Sequence, residues 1–296
     1  MKIVNSNGVI LLNKTQGPTS HDMIYEIRRI FKTKKVGHTG TLDPMATGVL
    51  PICIGNATKA SDMLLSQKKE YVAEITFGIG TDTGDVTGNI ISSSYFDANI
   101  ERIREVIRSY VGDVMQTPPM YSAKKVNGKK LYELARAGQE IQREPVKIHI
   151  YETEYLGQGE NANSFKFRVV CSKGTYIRVL CEDIGALYGC PACMSALCRT
   201  KTGAFSIEDS YTIEEIKRIV ESGDADKLII PTSELFDYDK IVLSEKQSER
   251  TKSGVFVSHP NIEENKLYRV FDNNNEFFAI GVCIEGRLRI KKSFRI

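Results

Sequence analysis

No apolar run in the sequence is long enough to cross a bilayer, and the longest, such as Gly8 to Leu12 and Val49 to Ile54, have the length of buried strands. A membrane span is therefore not expected. The first residues carry one lysine and a brief apolar stretch that stops at Asn13 without a small-residue cleavage pattern, which points away from a secretory signal and toward the cytosol. Charge of one sign is scarce too. Forty Lys and Arg stand against 37 Asp and Glu, a formal net charge of +3, so composition neither demands nor excludes a polyanionic partner. Neither a phosphate-binding Gly-Lys-Ser/Thr nor the dinucleotide-binding glycine pattern is present, and no nucleotide cofactor is expected. Asp82 and Asp85 lack the spacing of a calcium loop, and the four histidines are not arranged as ligands. Cysteine is not scarce but is odd in number: the seven exclude a complete disulfide framework. Five of them fall between Cys171 and Cys198. Cys190 and Cys193 make one CxxC, yet no second pair completes a tetrahedral zinc set, so buried thiols are the expectation and a metal site the alternative.

With 296 residues, 41% hydrophobic and 26% charged, the chain has material for one large domain and a smaller one. Gly8 to Lys14 reads as a strand, and Met23, Ile24, Ile27, Ile30 and Phe31 recur at helical spacing after a Gly17-Pro18 turn, with Ser20 as the expected N-cap. Strands are expected at Val49 to Ile54, Tyr71 to Gly78, Val146 to Tyr155 and Phe165 to Cys171. Helices are expected near Thr58 to Leu65, over Ile100 to Val111, at Leu131 to Ala135, up to Gly189 and over Ile213 to Val220. Strands outnumber the crossovers of a doubly wound sheet. The expected class is α+β, a mixed, mostly antiparallel sheet flanked by helices. After about residue 235 the pattern changes to short β-like runs, Lys266 to Phe271, Glu276 to Cys283 and Arg287 to Lys291, separated by turns at Asn273-Asn274-Asn275 and Glu285-Gly286.

One loop stands out. Gly37 to Gly48 sets a single carboxylate, Asp43, among small residues that let a substrate approach the backbone; a plain Asp-Pro turn is the alternative. The stretch GHTGTLDPMATGVLP resembles the signature loop of the TruB family of tRNA pseudouridine synthases almost residue for residue. The resemblance continues through Asn13 to Ser20, Lys69-Glu70-Tyr71, Thr81 to Asp85, Ser122 to Gly128 with Tyr132, and Cys171 to Arg178, in order over residues 8 to 205. It implies the pseudouridine synthase fold over 1–235, with a T-arm-binding insertion around 118–145, and a PUA-like RNA-binding domain over 236–296.

The same resemblance implies a role for each matching residue. Asp43 is the catalytic aspartate, Arg178 the arginine paired with it, and Tyr71 the ring stacked on the target base. Leu197 lines the pocket floor, His38 packs against nucleotides of the displaced loop, and Lys14 lies near the site. Lys124 and Lys125 belong to the basic insertion that grips the T-arm. Cys193 stands where relatives often carry histidine, which leaves that side chain without an assigned role. The implied reaction, at uridine 55 of tRNA, breaks a C–N glycosidic bond, turns the base and forms a C–C bond. It needs a nucleophile and a closed pocket, with no redox agent, metal or other cofactor. In that pocket desolvation raises the Asp43 pKa, and the guanidinium opposes it. A monomer acting without a protein partner is expected, because no exposed apolar repeat marks an interface. The rival readings are a non-catalytic RNA-binding protein on the same scaffold and a nucleoside hydrolase.

Overall fold

The computed structural model describes residues 7–126 and 128–295. Strands Gly8–Lys14 and Thr47–Ile54 are apolar on both faces because they sit between two cores. They pair antiparallel along their whole length, Gly8 opposite Ile54 and Lys14 opposite Gly48. Ile10, Leu12, Leu50 and Ile52 point into the main core, whereas Val9, Leu11, Val49 and Cys53 point into a second one with Phe236, Ile280 and Phe294. Side chains alternate across a strand, so one pair of strands serves both layers.

The main sheet runs in the spatial order Ile230–Pro231, Gly8–Lys14, Thr47–Ile54, Ala192–Thr202, Lys69–Phe77, Ser164–Cys171, Val146–Gln158, Gly112–Gln116. Its neighbours on this path are antiparallel except Thr47–Ile54 with Ala192–Thr202, where Cys198 faces Thr47 and Arg199 faces Gly48 in parallel register. That agrees with the mixed, mostly antiparallel sheet read from the sequence. Helices Ser20–Phe31, Ile100–Ser109, Ile177–Tyr188 and Ile213–Glu221 all contribute to the main core, through Ile27, Ile103, Leu180 and Ile216 among others.

Three expectations change. Thr19, not Ser20, caps the first helix, in a capping box with Asp22 worth about 1 kcal/mol. Ser20 instead binds the backbone of Leu42 in both directions, its hydroxyl donating to the carbonyl and accepting from the amide. Val111, read as part of an apolar stripe, lies beyond the end of Ile100–Ser109 and is 51% exposed. Most consequential is Ala192–Thr202, a central strand missing from the sequence reading. Bulges between Met194 and Ala196 and between Arg199 and Lys201 break the two-residue alternation by which strands are recognised.

The last main-sheet pairing is at Pro231, and a separate four-stranded sheet begins at Asp239. It comprises Asp239–Val242, Leu267–Phe271, Phe277–Ile284 and Arg287–Ser293, of which only the first pair is parallel. Both expected turns are present, with Asn275, Glu285 and Gly286 in the left-handed region. The helix Glu245–Lys252 escaped the reading, although Ser244 and Gln247 form a capping box visible as Ser-x-x-Gln.

Candidate active site

Asp43 lies at the mouth of the parallel pair, four residues before Thr47–Ile54 begins. The loop that carries it is fastened from below. Lys14 ends the first strand with its side chain in the interior, 0% exposed, and its ammonium donates to the carbonyls of Thr15 (3.0 Å), Asp43 (3.2 Å), Pro44 (3.2 Å) and Ala46 (2.7 Å). Burial lowers its pKa to about 8, with Asp43 opposing the shift. The resemblance puts Lys14 near the site, and its buried side chain lies beneath the loop as an anchor. Gly48 completes the turn into the strand at φ +106°, and a Cβ there would lie 2.2 Å from the Arg199 carbonyl oxygen. Only glycine lets the two parallel strands approach this closely.

Arg178 belongs to the first turn of Ile177–Tyr188, whose start is set by Gln116. The buried Gln116 amide donates to Tyr176 O (3.0 Å) and accepts from Tyr176 N (2.8 Å). The arginine, 6% exposed, places Nε 3.1 Å from Asp43 Oδ2 and 3.9 Å from Asp85 Oδ2. Its Nη1 donates to Thr83 O (2.9 Å) and its Nη2 to Tyr121 O (2.7 Å), which leaves little freedom of orientation. The Asp43 side chain keeps 37% of its surface open. Desolvation raises its pKa, Arg178 opposes the rise and Asp85 adds to it. The sequence reading anticipated both opposing influences; burial is the larger.

Tyr71 and Leu197 come from adjacent antiparallel strands, Tyr71 opposite Arg199 and Leu197 opposite Ala73, and both sit in the main core beside the loop. Burial raises the Tyr71 phenol above its ordinary range, against the influence of Arg199. His38 closes the short strand Val36–His38, its Nδ1 accepting from Gly40 N at 3.3 Å, and burial followed by the charge of Arg199 lowers its pKa. Lys124 and Lys125 belong to the segment around 118–145, where Lys125–Val126 pairs with Lys129–Lys130. Asn127 of that block lies outside the described residues. This segment reaches the site, because Tyr121 supplies one of the carbonyls that hold Arg178.

Two residues here had no part in the sequence reading of the site. Arg199 is 1% exposed, and Asp85 is buried with its Oδ1 bonded to Thr83 Oγ1 and the Thr87 amide. Local pattern does not flag Arg199, since its carbonyl partners are distant in sequence, and Asp85, though bonded to near neighbours, gains its place beside Arg178 only through the fold. The seven cysteines are free. Burial pushes the Cys53 thiol up to about 12 and those of Cys171 and Cys193 to about 11, so these remain neutral apolar groups at neutral pH. Among the described residues no group of three or more His, Cys, Asp or Glu is arranged to hold a metal ion. Nor, among them, is any helix long and apolar enough to cross a membrane.

Taken as chemistry, an open carboxylate beside a fixed guanidinium is the arrangement that covalent or electrostatic catalysis by a carboxylate requires. Comparison with known proteins points the same way. Residues 28–177 match the model of the TruB family pseudouridylate synthase N-terminal domain, and residues 178–237 that of the tRNA pseudouridylate synthase B C-terminal domain. The second match contains the central strand Ala192–Thr202, so the two segments share one sheet. The chain is 49% identical to tRNA pseudouridine synthase B of Geobacillus thermodenitrificans over 86% of each chain. It is 45% identical to that of Bacillus anthracis over 92% of this chain and 91% of the relative. Among solved structures it resembles the crystal structure of a Cbf5-Nop10-Gar1 complex, with TM-score 0.74 and 26% identity over 98% of this chain and 85% of the other.

Proposed function

Since the chain belongs to the TruB family of pseudouridylate synthases, we propose that it converts uridine 55 in the T-loop of tRNA to pseudouridine with Asp43 as nucleophile. It is an enzyme that forms pseudouridine in tRNA. The observation that carries the finer reading is the 3.1 Å contact between Arg178 Nε and a carboxylate that still has 37% of its surface open. In the reaction the N1–C1′ bond breaks, the base turns and C5 bonds to C1′, while N1 takes up a proton and the C5 proton leaves to solvent. Attack at ribose C1′, attack at base C6 and proton abstraction toward a glycal all require the same thing of Asp43, an ionised carboxylate. Arg178 favours that form.

Each neighbouring residue supports one part of this sequence. A uridine inside a folded loop is extruded before reaction, and stacking on Tyr71 returns about 1–3 kcal/mol of the cost. Leu197 keeps water from the detached uracil, which then recombines instead of being released. His38 packs against the displaced nucleotides at the rim. Lys124 and Lys125 on the 118–145 insertion hold the T-arm backbone, and the basic end of the 236–296 unit, read as PUA-like, extends the RNA surface. The enzyme acts in the cytoplasm as a monomer on tRNA alone.

Purified protein and a tRNA transcript tritiated at uracil C5 test the proposal. Release of tritium to water, mapped to position 55 and abolished by Asp43→Asn with tRNA binding retained, is the expected result. Release of free uracil would instead identify a hydrolase, and binding without release an RNA-binding protein.

A further inference from the structure

Arg199 is the largest side chain with less than 2% of its surface exposed, and the reaction as described gives it no task. It lies two residues beyond Leu197 on the same strand, opposite Tyr71 on one side and Gly48 on the other. Its guanidinium is solvated by carbonyls: Nε donates to Val49 O at 2.8 Å and Nη2 to Gly40 O at 3.2 Å. Tyr71 stands directly opposite it across the strand pair, where burial raises the phenol pKa and the guanidinium charge draws it down. Beyond burial, the Arg199 charge also lowers the pKa values of Lys14, His38 and Lys69, and among the described residues no carboxylate forms an ion pair with it. A buried guanidinium without a carboxylate partner is costly, and surrounding it with backbone carbonyls offsets that cost only if the geometry is closely held.

The groups that Arg199 bonds or stands opposite belong to different parts of the site. Gly40 lies three residues before Asp43 on the nucleophile loop, Val49 lies on the strand that leaves the loop, and Tyr71 is the ring that receives the base. One planar fork therefore relates the nucleophile to the stacking platform. Arginine donates and never accepts, so a guanidinium N–H turned toward the phenol meets a lone pair on oxygen and leaves the O–H hydrogen directed away from the guanidinium. We propose that Arg199 is a positioning residue that acts through Tyr71, fixing the ring against the Asp43 loop and turning the phenol O–H toward the extruded uracil. This rests on the functional reading above.

Lysine at position 199 keeps the charge and most of the length but loses the fork. Single-turnover tritium release and tRNA dissociation constants are measured for wild type, Arg199→Lys, Tyr71→Phe and the double variant. Arg199→Gln, which keeps a donor amide, replaces Arg199→Lys if thermal melting shows that the lysine variant is unfolded. The expected result is a rate about 10²-fold lower for Arg199→Lys, the loss for a misplaced reacting geometry, with the dissociation constant within about 2-fold of wild type. In the Tyr71→Phe background the same substitution costs less than about 3-fold, because the hydroxyl it acts through is gone. Equal losses in both backgrounds, a rate near that of wild type, or a loss confined to tRNA affinity would overturn the proposal. Absence of product from the wild-type enzyme would overturn the functional reading and this proposal with it.

Discussion

Arg178 Nε stands 3.1 Å from Asp43 Oδ2, so the carboxylate proposed as nucleophile is half of an ion pair whose other half is fixed by two carbonyls. Burial holds the Asp43 carboxyl above its ordinary range despite this partner. The reactive form is the anion, so turnover falls as pH drops through the raised pKa. In Arg178→Met the largest opposing influence is lost, and the acid limb of the rate–pH profile moves to higher pH. A loss of at least ~10²-fold at pH 7 accompanies it. Single-turnover rates measured across the acid range check this; an unmoved limb would mean that the guanidinium does not control the carboxyl.

Stability should change in the opposite sense from activity at Asp43. A carboxyl whose folded pKa lies above its unfolded value contributes stability that is complete below the unfolded pKa and is lost as pH rises through the folded one. At pH 7 the ionised Asp43 is therefore a cost to folding. Asp43→Asn removes the charge while Arg178 keeps Thr83 O, Tyr121 O and Asp85. The melting temperature of the variant is expected to equal or exceed that of the wild type, with activity lower by on the order of 10³-fold or more. A fall in melting temperature beyond about 4 °C, roughly 1–2 kcal/mol for a chain of this size, would show that the carboxylate is structural.

The Lys14 ammonium satisfies four carbonyls, three of them on the catalytic loop. Lys14→Met leaves those oxygens buried and unpaired, at about 1–3 kcal/mol for each that water does not reach. Urea denaturation should show a loss of at least ~2 kcal/mol, together with a fall in turnover. Full activity in a destabilised variant would separate the loop's position from the chemistry.

Much of this was legible from residue types and much was not, and the division is physical. Glycines, Asp43 and Pro44 advertise the catalytic loop because tight turns restrict the residues they accept, and Gly8–Lys14 and Thr47–Ile54 show as apolar runs because both faces are buried. Ala192–Thr202 was invisible because its bulges shift the alternation twice. Arg199 and Asp85 received no role in the site because charged residues are normally exposed, the carbonyls that allow the burial of Arg199 come from another strand and loop, and Asp85 meets Arg178 only across the fold. Arg178, Tyr71 and Leu197 gained meaning only through the resemblance, since alone each has an ordinary structural role.

Gly48 links loop and sheet at φ +106°, with the Arg199 backbone 2.2 to 2.8 Å from where a Cβ would be. Backbone cannot yield as a flexible side chain can. Gly48→Ala is expected to lose at least ~2–3 kcal/mol and to reduce activity in step, because the same parallel contact aligns the Asp43 loop with Leu197. Thermal melting and tritium release on the same sample check it, and a variant as stable as wild type would show that the strands can separate without cost.

The central claim is tested most directly by following tritium from C5 of uridine 55 in an intact tRNA transcript, with wild-type protein and Asp43→Asn side by side. The account predicts release at that position by the wild type alone, with both proteins binding the tRNA equally. Release by Asp43→Asn at the wild-type rate would remove Asp43 from the chemistry and the mechanism with it.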